Sequence, residues 1–262
     1  MSARPELSPF APDVLAGVRA LVTGASKGIG RGIAEYLGRH GARLVVTSRE
    51  RNRAAAVARE LRGLGLDAAG YALEVTDTSS IQRFVGEVWS EQGGVELVVN
   101  NAGTNLPQKA LEVTEAAWDT VQDANLKGAF FVSQAVARRW VDAGARGSIV
   151  NIASQAGLVA IDKRAAYCSS KAGVINLTRE LAFEWAEHGI RVNAIAPTFV
   201  ATPMTEPMFA DEAFRAQVLS MIPLGRVATT EEVAAATLFL ATDAAALITG
   251  HTLVVDGGWT IH

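Results

Sequence analysis

The stretch Thr23-Gly24-Ala25-Ser26-Lys27-Gly28-Ile29-Gly30 decides how this chain is read. The apolar run Ala20-Leu21-Val22 stands before it, and a helical pattern covers residues 29–39 after it. Three glycines in a strand-to-helix turn let the backbone bend tightly and approach a bound group closely. A helix that begins there offers unpaired N–H groups and the positive end of its dipole, which suit a pyrophosphate. A plain turn would also use such glycines, so the surrounding pattern has to decide between the two.

That pattern is an alternation of apolar runs and helical periods. Strands are predicted at Arg43–Thr47, about 68–73, Val95–Asn100, Ser148–Ala153, Arg191–Ala196 and 251–255. Helices are predicted at 50–62, 78–92, about 114–141, 165–187 and 230–241, with a looser stretch at 197–228. Strands separated by helices argue an α/β fold, a Rossmann-type doubly wound parallel sheet of about seven strands with helices on both faces. Runs such as Leu44-Val45-Val46 are apolar on both faces, as a doubly covered sheet requires. No linker divides the chain, so residues 17–262 read as one dinucleotide-binding catalytic domain and 1–16 as a poorly anchored tail.

Composition narrows the class. The chain has 262 residues, 49% hydrophobic, with 24 basic against 27 acidic side chains and a net charge of −3. Such hydrophobicity argues against disorder, and the acidic balance argues against a nucleic-acid partner. No run approaches the roughly 18 apolar residues of a membrane helix, and the first 17 residues lack the apolar region of a secretory signal. One cysteine fits a reducing compartment, so a cytoplasmic protein is expected. The four histidines are scattered and suggest no metal site.

The end of the second strand bears on cofactor choice. A reader of NAD places an acidic residue about 20 positions beyond the glycines, on the ribose 2′-hydroxyl. Here Ser48 and Arg49 stand in that place, and Lys27 adds a cation in the turn. A hydroxyl and a guanidinium suit a 2′-phosphate, which favours NADP(H). Glu50 is also near enough to hold a ribose, so NAD(H) stays open.

Tyr167 and Lys171 lie four residues apart at the start of a long helix, on one face and about 6 Å apart along its axis. A phenol has a pKa near 10, and a lysine at about 4 Å would lower it by roughly three units at an effective dielectric of about 20. Ser154 closes the fifth strand, and Asn100-Asn101-Ala102-Gly103 follow the fourth. These are strand carboxyl ends, where open α/β sheets bind ligands. Asn125 and Gly128 are poor helix residues inside the pattern 114–141, which suggests a kink or a functional group there.

With TGASKGIG (23–30), NNAG (100–103), Asn125, Ser154, YCSSK (167–171), Asn193 and Pro197, the chain resembles the short-chain dehydrogenase/reductase family, in its compact single-domain branch. The resemblance spans about residues 17–259. It implies Tyr167 as general acid/base, Lys171 as the group that lowers its pKa and holds the nicotinamide ribose, Ser154 on the substrate oxygen, and Asn125 positioning a water. It implies that Gly24, Ser26, Lys27, Gly28, Ile29 and Gly30 cradle the pyrophosphate. Asn101, Ala102, Gly103, Glu74 and Val75 would lie along the adenosine half, and Pro197, Thr198, Val200 and Thr202 along the nicotinamide. Glu74-Val75 departs from the family's frequent Asp-Val, and Pro197-Thr198 from its frequent Pro-Gly.

The expected activity is hydride exchange between a secondary alcohol and a ketone, with NADP(H) preferred and a 3-oxoacyl-type or other carbonyl compound as substrate. A sugar or polyol dehydrogenase is the alternative, and a non-catalytic dinucleotide sensor or scaffold is the alternative of another class. Phe199, Val200, Met204, Met208, Phe209 and Phe214 suggest an adaptable apolar lid. Gln155, Leu158 and Ile161 follow Ser154 toward the pocket, and Lys109 and Lys163 are candidate anion contacts. A homotetramer or dimer is expected from the likeness of helix 165–187 and strand 251–255 to the family's subunit contacts.

Overall fold

The computed structural model describes residues 10–202 and 205–261. Seven parallel strands form one sheet in the order β3-β2-β1-β4-β5-β6-β7. They are β1 (Arg19–Val22), β2 (Arg43–Ser48), β3 (Ala68–Ala72), β4 (Leu97–Asn100), β5 (Gly147–Ile152), β6 (Ile190–Pro197) and β7 (Thr252–Val255). Between them run α1 (Gly28–Arg39), α2 (Arg51–Gly63), α3 (Thr78–Gln92), α4 (Glu115–Gln122), α5 (Gly128–Asp142), α6 (Ala165–Trp185), α7 (Glu212–Ser220) and α8 (Thr230–Ala241). The order reverses between β1 and β4, and a doubly wound sheet opens its ligand crevice at such a reversal.

Side chains alternate along each strand and feed two cores. Ala20, Val22, Leu97 and Val99 pack with α1, α2 and α8, while Leu21 and Val98 face α3, α5 and α6. Both faces are thus covered, which is why the strands carry continuous apolar runs. No helix among the described residues is long and apolar enough to cross a membrane.

Four expectations change. The tail is held at its end: Leu15 is 1% exposed within the first core, and its N–H donates to the His40 carbonyl at 2.9 Å. Residues 1–9 lie outside the described residues. The predicted helix 114–141 is interrupted by a π-helical segment, Asp123–Lys127, between α4 and α5. Gly128 follows it because the loop after β3 comes close: a Cβ there would lie 3.0 Å from the Val75 carbonyl. The loose stretch 197–228 contains a short 3₁₀ turn and α7, which Asp211 caps through bonds to Ala213 and Phe214 N–H. The proposed apolar lid is a packed cluster, in which Phe199 meets Phe209, Phe214 and Trp259 at ring separations of 5.8–5.9 Å. Met204 of that lid lies outside the described residues.

Candidate active site

The carboxyl ends of the strands bring most of the expected residues to one edge. After β1, Gly24 and Gly28 adopt positive φ (64° and 59°), the left-handed region that favours glycine. A Cβ on Gly24 would come within 2.9 Å of the Ala102 backbone, and one on Gly30 within 2.3 Å of Asn101 Nδ2. The turn is therefore packed against the segment after β4. Asn101 fixes it, donating from Nδ2 to the Thr23 and Gly24 carbonyls at 2.9 and 3.2 Å. Its Nδ2 thus shapes the turn. Thr23 Oγ1 accepts from the Asn101 and Ala102 N–H groups at 3.0 Å each, a tie the sequence motifs did not single out.

The first turn of α1 has no side-chain cap and no acidic residue, so its N–H groups stay available for an anion. Ser48 ends β2, the strand next to β1, and Arg49 is exposed beside it. The Thr47 carbonyl of β2 accepts from the Ala25 N–H of the turn at 3.1 Å. Neither Lys27 nor Arg49 makes an ion pair among the described residues. Glu74 turns back on its own loop, where Oε1 accepts from Thr76 N–H and Oγ1 at 3.2 and 2.9 Å.

At the other end of the crevice, Val200 is buried and Thr202 faces the glycine turn, its methyl 3.8 Å from where a Gly28 Cβ would be. Thr198, after β6, is buried, and its Oγ1 has no hydrogen-bond partner. An orphaned hydroxyl at this place, an uncapped helix start and glycines that keep the turn bare fit a dinucleotide across the crevice.

Ser154, Tyr167 and Lys171 meet at the end of β5. Gly157 lets the turn after Ser154 lie on α6, since a Cβ there would sit 2.7 Å from the Lys171 backbone. Ser154 donates to Gln155 Oε1 at 2.9 Å and accepts from Ala156 N–H at 3.2 Å, and its hydroxyl favours the ionised form of the neighbouring Tyr167 phenol. Lys171 is buried; its Nζ donates to the Ile152 carbonyl at 2.7 Å and lies 5.7 Å from the Tyr167 ring centre.

Burial raises the Tyr167 pKa above its ordinary value, opposed by the Ser154 hydroxyl and by the Arg164 charge. Burial also lowers Lys171 to about 8. Lys171 directs its ammonium at a backbone carbonyl and over the ring face, and desolvation outweighs the groups that favour the phenolate. Arg164, which the sequence reading passed over, is among those groups.

Asn125 is buried in the π-helical segment, and its amide is fully engaged. Oδ1 accepts from Thr104 N–H at 2.7 Å, and Nδ2 donates to the Thr104 carbonyl at 3.0 Å and to Ser170 Oγ at 2.9 Å. Ser170 in turn donates to the Tyr167 carbonyl at 2.7 Å. This places Asn125 as a staple between the loop after β4 and α6. Ser170 was quoted only as part of a motif, and nothing in its spacing marked the bond.

Comparison with known proteins agrees with this geometry. A family model described as enoyl-(acyl carrier protein) reductase matches residues 24–260. D-Threitol dehydrogenase of Mycolicibacterium smegmatis is 43% identical over 94% of this chain and 94% of its own length. The chain belongs to the short-chain dehydrogenase/reductase family. The 3-oxoacyl-[acyl-carrier-protein] reductase FabG of Escherichia coli is 40% identical, over 92% of this chain and 97% of its own. The crystal structure of a gluconate 5-dehydrogenase from Burkholderia cenocepacia in complex with NADP and tartrate superposes with a TM-score of 0.92. It has 33% identity and covers 96% of this chain and 98% of that one. The protein is an NAD(P)-dependent oxidoreductase that interconverts alcohols and ketones.

Proposed function

We propose that the enzyme oxidises a secondary hydroxyl of a polyhydroxylated substrate, a polyol, sugar or sugar acid, and reduces the matching ketone, with NADP(H) preferred over NAD(H). The observation that carries the chemistry is the juxtaposition of the buried Ser154 and Lys171 with the Tyr167 phenol, the Lys171 Nζ lying 5.7 Å from its ring centre. When bound, the nicotinamide supplies or accepts the hydride. Gly24, Ser26, Lys27, Gly28, Ile29 and Gly30 hold the pyrophosphate. Thr198 gives its orphaned hydroxyl a partner on the nicotinamide side, next to Pro197, Val200 and Thr202. Lys171 holds the nicotinamide ribose, and Asn101, Ala102, Gly103 and the Glu74–Val75 loop border the adenosine half.

Tyr167 is protonated at neutral pH, since burial raises its pKa, and so stands ready to give its proton to a ketone oxygen. Ser154 shares that oxygen and stabilises its developing charge. In the oxidation direction Tyr167 takes the hydroxyl proton, helped by the Ser154 hydroxyl and the Arg164 charge, both of which favour the phenolate. Asn125 keeps α6 and the loop after β4 in register for these contacts. A reducing compartment, the cytoplasm, suits the one free cysteine, Cys168.

Two observations favour a polyhydroxylated substrate over an acyl one. The phenylalanines of the 199–214 stretch are consumed in packing against each other and Trp259. The group beside Ser154 is the buried amide of Gln155, a polar partner for further hydroxyls. Unpaired Lys27 and Arg49 support NADP(H).

The test is steady-state kinetics with both cofactors on a panel of alditols, ketoses, aldonates and 3-oxoacyl thioesters. Turnover of the polyhydroxylated members, lost by at least about a hundredfold in Tyr167→Phe, is expected. Preference for the thioesters would replace this reading with the acyl one, and cofactor binding without turnover of any member would indicate a sensor. Arg49→Ala should raise KM for NADPH far more than for NADH; equal effects would remove the phosphate assignment.

A further inference from the structure

Arg164 stands three residues before Tyr167. It is the N-cap of α6, with no side-chain cap bond. A cation at a helix N-terminus meets the positive end of the dipole, an unfavourable placement in itself. Lys163 precedes it with a φ of 56°, the one positive value among described residues other than glycine. Strain held beside a reacting group points toward function.

The surroundings of Arg164 lack the anion that would explain it. The side chain is part-buried, and its hydrogen bond goes to the Lys163 carbonyl at 3.3 Å. Among the described residues no carboxylate lies within ion-pair distance of Arg164; the nearby Asp162 reaches Lys163 instead, at 4.0 Å. Arg19, Arg43, Arg51 and Arg226 are matched with acidic partners, and the part-buried Arg191 is held by backbone carbonyls, with Leu240 at 2.9 Å. The spacing of three between Arg164 and Tyr167 at the start of α6 puts the two on one helix face. Burial lowers the Arg164 pKa, with Tyr167, Cys168 and Asp162 acting the other way.

The loop after β4 closes over the same corner. Gln108 forms a β-bridge with Arg164, and its N–H donates to the Lys163 carbonyl at 3.0 Å. Gln108 Oε1 is buried and accepts no hydrogen bond. Lys109 follows it, so three cationic residues and one orphaned acceptor surround the bridge. An unmatched cation calls for a carboxylate, and an unmatched amide oxygen calls for a hydroxyl.

We propose that Arg164 binds the carboxylate of the substrate and Gln108 Oε1 accepts from one of its hydroxyls, so that the substrate is a polyhydroxy acid of the aldonate type. This rests on the polyhydroxylated reading above and names the class within it. Arg164 is a specificity-determining residue: it anchors one end of the acid while Ser154 and Tyr167 act on a carbinol further along the chain. A guanidinium offers a carboxylate two parallel N–H bonds, which fix orientation as well as affinity.

The experiment compares four- to six-carbon aldonates with the alditols of the same stereochemistry, using NADP⁺ and wild type, Arg164→Leu, Arg164→Gln and Arg164→Lys. Calorimetric titration of D-gluconate into each NADP⁺-loaded protein accompanies the kinetics. Wild type should prefer the acids. Arg164→Leu and Arg164→Gln should lower kcat/KM for the best acid about tenfold to a hundredfold more than for its alditol, mainly through KM. Arg164→Lys should recover part of the loss. A wild-type preference for alditols, or equal losses on both classes, overturns the proposal. If neither class turns over, the polyhydroxylated reading fails, and the titration decides separately. D-Gluconate binding weakened at least tenfold by both neutral variants upholds the anion site, and unchanged or undetectable binding rejects it.

Discussion

Lys171 must be held against its own solvation. Burial brings its pKa from 10.5 to about 8. Between those values the unfolded chain binds the proton that the folded one has released, so folding stability rises with pH across that window. Below about pH 8 the folded protein carries the buried charge, and the displacement converts to roughly 3 kcal/mol, offset in part by the bond to the Ile152 carbonyl. Lys171→Met should therefore raise the unfolding midpoint at pH 7, flatten the rise of stability between pH 8 and 10.5, and lower turnover at least about a hundredfold. Denaturant unfolding across pH checks this. A variant less stable than wild type at pH 7, with the same slope, would show that the buried charge carries no penalty. The Tyr167–Lys171 face was legible from a spacing of four. The burial that dominates the titration of both groups was not, because spacing fixes which face two side chains share but not what covers them or which group the ammonium meets.

The π-helical segment Asp123–Lys127 shows how an element carries function through one added residue in its turn. Such segments are rare and concentrate at functional sites. Here the segment turns Asn125 toward the loop after β4, where Gly103 makes room: a Cβ at 103 would lie 2.8 Å from Asn125 Oδ1. The sequence marked the irregularity, because Asn125 and Gly128 are both poor in a helix interior. It did not mark the type, since a kink and a π-bulge use the same residues. Asn125→Ala would leave the Thr104 N–H and carbonyl and the Ser170 hydroxyl without their partner, costing about 2–3 kcal/mol. The loop and α6 would then lose their register, so kcat should fall about tenfold or more while the unfolding midpoint drops. Intact kcat in a destabilised Asn125→Ala protein, measured well below that midpoint, would reduce Asn125 to a purely structural tie.

At the scale of the molecule, the alternation of strands and helices made the sheet legible, because each strand had to be apolar on two faces to be covered twice. The stretch 197–228 was less so, since packing of Phe199, Phe209 and Phe214 on Trp259 joins residues far apart in the chain, and no local period encodes it. The outer surface raises a further question. A groove of about 510 Å³ between α5 and α6 is lined by Leu126, Phe130, Phe131 and Leu177. Phe183 is 85% exposed and stands seven residues beyond Asn176 and three beyond Glu180, both on the groove. Those intervals put it on the same helix face. An apolar face on one long helix is a surface that two copies of a chain can share about a two-fold axis. Light scattering should return two or four times the chain mass, and Phe183→Glu should shift the population toward smaller species, because a carboxylate in that contact loses its solvation without gaining a partner. Wild type that scatters as a single chain at micromolar concentration, or a Phe183→Glu protein with undiminished mass, would mean that α6 presents this face to solvent alone and that assembly, if any, uses another surface such as the β7 edge.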